Sequence, residues 1–159
     1  MTQPFRDNSK MAKSLHICNR ILTAVIFAAY PLLLLWLLRN KNPLLARAII
    51  LPLDGFIILS VVRLLVNRKR PYEKFEVPSV IPKNTKGKSW PSRHVFSAAV
   101  IAMTFLTIPE LFAVGMVFLV FSLALAVIRV LSGVHYISDV IAGFLFAVVC
   151  VAVPWLLGF

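Results

Sequence analysis

Residues 111–128 read LFAVGMVFLVFSLALAVI, eighteen residues without a charge, and Arg129 follows them. About 20 residues of α-helix cross a bilayer's hydrocarbon core, where every backbone N–H and C=O must pair within the segment. This stretch is therefore expected to span a membrane. Stretches of the same kind lie at 21–38, 48–66, 94–108 and 137–157. The segment 94–108 is short for a crossing, so its end is expected at the interface or where the bilayer thins. Pro109-Glu110 supplies a tight turn before the quoted stretch. The expectation is an all-α fold: a polytopic membrane helical bundle of about five transmembrane helices.

Composition agrees. Of 159 residues, 60% are hydrophobic and 14% charged, and the mean hydropathy is +0.88; a soluble protein carries about a quarter charged residues. Residues 1–20, with Arg6, Lys10, Lys13 and Arg20, read as a basic N-terminal tail or an interfacial helix. Residues 21–159 read as a single membrane domain, with the motif-bearing region at 48–150. The first apolar stretch has no small-x-small cleavage site after it and reads as a retained span. Cys18 and Cys150 lack metal-ligand spacing and read as small buried thiols.

The formal net charge is +11. Between residues 63 and 93 nine Lys or Arg stand against Glu73 and Glu76, a net of +7. Positive charge gathered between apolar runs favours anionic lipid head groups, and no aromatic-interleaved basic pattern suggests nucleic acid. Five crossings bring the loop 67–93 and the connection 129–136 to one membrane face, where the active site is expected. The loop 39–47, the turn at 109–110 and the C-terminus fall on the other. Arg39, Lys41 and Arg47 make their loop cytoplasmic by the positive-inside rule, so the motif face is expected outside; the basic N-terminus argues the reverse.

The chemistry concentrates on that face. Arg63 lies about a turn inside the end of the second span and Arg129 ends the fourth. Each alone reads as a snorkelling side chain, but together with Arg70 they form a convergent anion site. Ser92 is an N-cap candidate, or a hydroxyl donor to a phosphate oxygen. His94, on the first turn that follows, is placed to donate a proton to a leaving oxygen. His135 and Asp139 are four apart and share a face if helical, so a carboxylate on one ring nitrogen would leave the other free to attack. The plainer alternative is a capping Asp with an interfacial His.

Together, Arg63-x6-Arg70-Pro71, Pro91-Ser92-Arg93-His94 and Ile128-Arg129-x5-His135-x3-Asp139 resemble the signature of the type 2 phosphatidic acid phosphatase superfamily, which includes the vanadium haloperoxidases. That signature is K-x6-R-P, P-S-G-H and S-R-x5-H-x3-D. Spacing matches throughout; Arg63 replaces a lysine, Arg93 a glycine and Ile128 a serine. The membrane members commonly have six spans, so this chain is one short at its N-terminal end.

The resemblance implies a lipid phosphatase. Arg63, Arg70, Ser92, Arg93 and Arg129 would bind the substrate phosphate, His135 would attack phosphorus to form a phosphohistidine, Asp139 would orient it, and His94 would serve as the acid. It implies no metal or cofactor. The expected partners are a phosphorylated lipid substrate (polyprenyl diphosphate, phosphatidic acid or phosphatidylglycerol phosphate) and the bilayer of a bacterial cell membrane, with no nucleic acid; no oligomeric state follows. The alternatives are a non-catalytic phospholipid-binding or transport-assisting membrane protein and, given the apolar spans, more distantly a haloperoxidase. Asp54, inside the second span, is left outside the site.

Overall fold

The computed structural model describes residues 2, 5 and 8–156. Its helices are α1 (Ser9–Arg39), α2 (Leu45–Val66), α3 (Pro71–Lys74), α4 (Arg93–Leu106), α5 (Phe112–Leu131) and α6 (Ile137–Leu156), with a 3-10 turn at Pro109–Leu111. Among the described residues there is no strand. Four helical stretches, Ser9–Arg39, Leu45–Lys74, Pro109–Leu131 and Ile137–Leu156, are long and apolar enough to cross a membrane, and the apolar Arg93–Leu106 is shorter. The protein is a membrane helical bundle.

The shortest of the five long helices is the central one. Nine of the 14 residues of α4 are buried, and it packs against α1, α2, α5 and α6. Ala98, Ala99 and Ala102 let neighbouring backbones come close, which matters in lipid because association rests on packing rather than on escape from water. Ile26, Leu33 and Leu37 of α1 meet Ala98, Ile101 and Phe105 of α4 and Leu125 of α5 in one cluster. Leu59, Phe96, Val100, Ala147 and Val151 form another. Leu32, Leu65, Val120 and Leu145 are exposed on the outer faces, as lipid-facing side chains are.

α1 starts well before its apolar stretch. The Asn8 side chain accepts hydrogen bonds from Lys10 N (3.0 Å) and Met11 N (3.2 Å), and no Gly or Pro interrupts residues 9–30. The segment 10–20 is therefore continuous with the first span; hydropathy marks where a helix meets lipid, not where it begins. Leu15 packs with Ile81 and Ile128, so this part of α1 stands against the 67–92 loop. Arg6 lies outside the described residues.

That loop is tied down along its length. Asn67, at φ 40°, ends α2 in the left-handed conformation. Pro71 opens α3 and Glu73 accepts from Arg70 N at 2.8 Å and from Gly87 N at 2.8 and 2.9 Å. Ser89 N donates to Arg68 O (2.9 Å), Val80 N to Ser132 O (2.9 Å) and Ser92 N to Asp139 O (2.8 Å). The last contact needs Gly143 on α6: a Cβ there would lie 2.6 Å from Ser92 O. Gly143→Ala is expected to cost about 1–3 kcal/mol through overpacking against a fixed backbone atom, read as a lower thermal midpoint of the detergent-solubilised protein.

Candidate active site

Asp139 sits in the first turn of α6 and is fully buried. Its Oδ2 accepts from Tyr136 N (3.0 Å), from the Ser89 hydroxyl, and from His135 Nδ1 at 3.3 Å. Its Oδ1 accepts from Arg68 Nη1 at 2.8 Å. A carboxylate on the Nδ1 side assigns the ring proton to Nδ1 and leaves His135 Nε2 as the unprotonated, acceptor nitrogen. Nε2 stands 3.5 Å from Arg70 Nη1. Burial pushes the His135 imidazolium down to about 4; the Asp139 hydrogen bond opposes this, and the Arg70 and Arg129 charges add to it. His135 is thus neutral near pH 7.

His135 opens onto a cavity of about 320 Å³ at the end of the bundle. His94 is on its wall, and Arg63, Arg70, Lys83, Lys88, Arg93 and Arg129 line it, with no carboxylate among the described lining residues. The arginines are pre-positioned. Arg70 Nε donates to Gly87 O (3.0 Å) and its Nη1 to Val134 O (3.4 Å). Arg63 donates to the carbonyls of Lys88, Ser89 and Pro91, so it staples the loop as well as lining the cavity. Arg129 is 4% exposed and its Nε has no partner. Burial, followed by the charges of Arg70, Arg129, Arg93 and Arg63, pushes the Lys83 ammonium down. Positive charge gathered with no counter-charge in the cavity suits an anion, and guanidinium forks suit phosphate.

The remaining residues singled out in the sequence have distinct places. His94 lies on the first turn of α4 with its ring stacked on Phe27, centroids 6.3 Å apart. Arg93 lies over the Phe56 ring at 5.4 Å. Ser92 is the N-cap residue of α4, but its side chain makes no cap hydrogen bond; the hydroxyl is buried without a partner and Ser92 is not on the cavity wall. Asp139 lies behind His135 rather than on the wall, and Asp54 does not line the cavity. Lys83, Arg68, Ser89 and Glu73 were not singled out by sequence reasoning. Nothing separates Lys83 or Arg68 from the other cations of that loop until the chain is folded. Among the described residues, no group of three or more His, Cys, Asp or Glu is arranged to hold a metal ion.

The family model of the PAP2 superfamily matches residues 48–159. No curated protein sequence gives a significant match. Among solved structures, the chain resembles LpxE of Aquifex aeolicus, with a TM-score of 0.73 and 18% identity over 96% of this chain and 93% of that one. It also resembles a transmembrane PAP2-type phosphatidylglycerolphosphate phosphatase of Bacillus subtilis, with a TM-score of 0.66 and 17% identity over 95% of this chain and 78% of that one. At these identities the likeness is one of fold.

The His135–Asp139 pairing makes a prediction that needs no substrate. In detergent, the His135 ring is expected to titrate near pH 4, below the ordinary 6.5. Asp139→Asn should lower it further, since the carboxylate favours the charged ring. Histidine-selective NMR reads both; a rise in the variant would contradict the assigned pairing.

Proposed function

The chain belongs to the PAP2 superfamily, and from that premise we propose that it is a metal-independent lipid phosphatase acting through a phosphohistidine at His135. The observation that carries this reading is a neutral, carboxylate-backed His135 whose unprotonated Nε2, 3.5 Å from Arg70 Nη1, faces a cavity lined by six cations and a second histidine. The substrate phosphate enters that cavity. Arg70, Arg129 and Arg63, with Arg93 and the N–H groups at the start of α4, hold its oxygens and stabilise the charge they carry in the transition state. Ser92 joins them if its hydroxyl turns toward the phosphate.

His135 Nε2 attacks phosphorus while the bond to the leaving oxygen breaks. His94, protonated in the field of the incoming dianion, gives its proton to that oxygen. Asp139 stabilises the positive charge formed on His135. Water then attacks phosphorus and gives a proton to His94, the P–N bond breaks, and phosphate and neutral His135 are restored. The cavity's charge supports metal independence: six cations, with no carboxylate among the described lining residues, disfavour a divalent ion.

The substrates proposed are polyprenyl diphosphate, phosphatidic acid and phosphatidylglycerol phosphate, and the membrane is that of a bacterial cell with the site facing outside. Thiol labelling tests orientation. With Cys18 and Cys150 replaced by Ser, a cysteine at Lys86 in the motif loop should react in intact cells with a reagent that does not cross the membrane.

Purified protein should release phosphate from these lipids in the presence of a chelator, and vanadate should inhibit it. His135→Ala should fall to background, and His94→Ala by about 10²–10⁴-fold. Full activity in His135→Ala would sink the mechanism. Binding without turnover would favour the non-catalytic lipid-binding alternative. kcat/KM should fall on the acid side through about pH 4, as His135 becomes protonated and its lone pair is lost.

A further inference from the structure

A second cavity, of about 410 Å³, adjoins the first across His94, Arg129 and Lys83, which line both. Its far wall is α1, which presents His16, Asn19, Arg20 and Thr23 to it. These stand at i, i+3, i+4 and i+7 and form one polar stripe along the helix. His16 and Arg20 are exposed and Asn19 and Thr23 half-buried, so the stripe lines an open cavity at the polar start of α1 and the first turn of its apolar stretch. Two of its atoms, Asn19 Oδ1 and Thr23 Oγ1, are buried and have no hydrogen-bond partner. Among the described residues that line the cavity there is no carboxylate, so Arg20 and Lys83 meet no opposite charge among them. α1 also lies outside the segment matched by the family model, which begins at residue 48.

Position relative to the chemistry gives the cavity its meaning. His94 stands between the two spaces. If His94 protonates the leaving oxygen of a phosphate held by Arg70 and Arg129, the leaving group continues past it into the second cavity. We propose that this cavity binds an anionic phosphate retained by the leaving group, so that the substrates are lipids whose dephosphorylated product still carries a phosphate charge. The inference rests on the phosphatase reading and on His94 as the acid. Arg20 and Lys83 supply the charge; Asn19, Thr23 and His16 supply the hydrogen bonds, to phosphate oxygens or to hydroxyls beside them. Polyprenyl diphosphate and phosphatidylglycerol phosphate meet this requirement, because one leaves as a phosphate monoester and the other as a phosphodiester. Phosphatidic acid does not, because its leaving group is a neutral diacylglycerol.

The test compares kcat/KM on the three lipids in mixed micelles for wild type, Arg20→Gln, Asn19→Ala/Thr23→Ala and Arg20→Lys. Wild type is expected to prefer the two lipids with anionic leaving groups. Arg20→Gln should reduce that preference by about tenfold to hundredfold, the range for a hydrogen bond to a charged group. The double variant should reduce it less, and Arg20→Lys should restore most of it. A preference for only the diphosphate or only the phosphodiester lipid identifies which phosphate the cavity fits. Turnover of all three lipids with a preference that the variants leave unchanged overturns the subsite and leaves the phosphatase reading intact. Equal loss on all three lipids in Arg20→Gln also overturns it, since a subsite for the leaving group's charge must act selectively. Absence of turnover of every lipid by wild type overturns the phosphatase reading and the subsite with it.

Discussion

One buried carboxylate holds the catalytic face together. Asp139 takes hydrogen bonds from Arg68 and Ser89 of the long loop, from His135 of the α5–α6 connection, and from the backbone at Tyr136. Its own carbonyl accepts from Ser92 N at the start of α4. The two ends of the long loop and the start of α4 are thus fastened to the α5–α6 connection through one residue. A buried carboxylate with a partner missing is expensive, so the arrangement is favoured when all of them are in place. The tautomer of His135, the course of the loop that carries the arginine-binding carbonyls, and the start of the helix that carries His94 all depend on it.

Below that face the forces change. The body of the bundle is held by packing of small and branched side chains around α4, and its outer surface is left to lipid. Polar contacts gather where the helices end. The two regimes meet at Gly143, where α6 approaches the backbone of Ser92 too closely for any side chain. Close packing in the apolar part thus sets the height at which the polar part assembles.

Much of this was legible in the sequence. Uninterrupted apolar runs mark the spans, because lipid tolerates little else. Arg63, Arg70, Arg129, His94 and His135, which line the cavity, stand out because each belongs to one of three spaced motifs at span boundaries; singly, the arginines look like snorkelling side chains. The start of α1 was not legible, since hydropathy falls off at residue 21 while the helix, capped by Asn8, begins at Ser9. Lys83 was hidden among equivalent cations, and Ser89 looks like any loop serine until Asp139 is brought against it. The dual use of Arg63, as cavity wall and as loop staple, depends on where the carbonyls of residues 88–91 lie, and no spacing rule encodes that.

The brevity of α4 has a consequence for how lipid meets protein. Fourteen residues of helix extend only ~21 Å, against ~30 Å for the hydrocarbon core. Joined to the 20-residue α5 through a tight turn, α4 stops well short of its neighbour's far end. The recess is roofed by the long loop and floored by the helix start that carries His94. The start of α4, which carries His94, therefore sits nearer the middle of the bundle than the end of α5, which carries Arg129. On the proposed reading, a phosphate reaches His135 past the end of α5, a path that favours lipids presenting it on a slender, flexible stalk over those that shield it with a bulky rigid substituent.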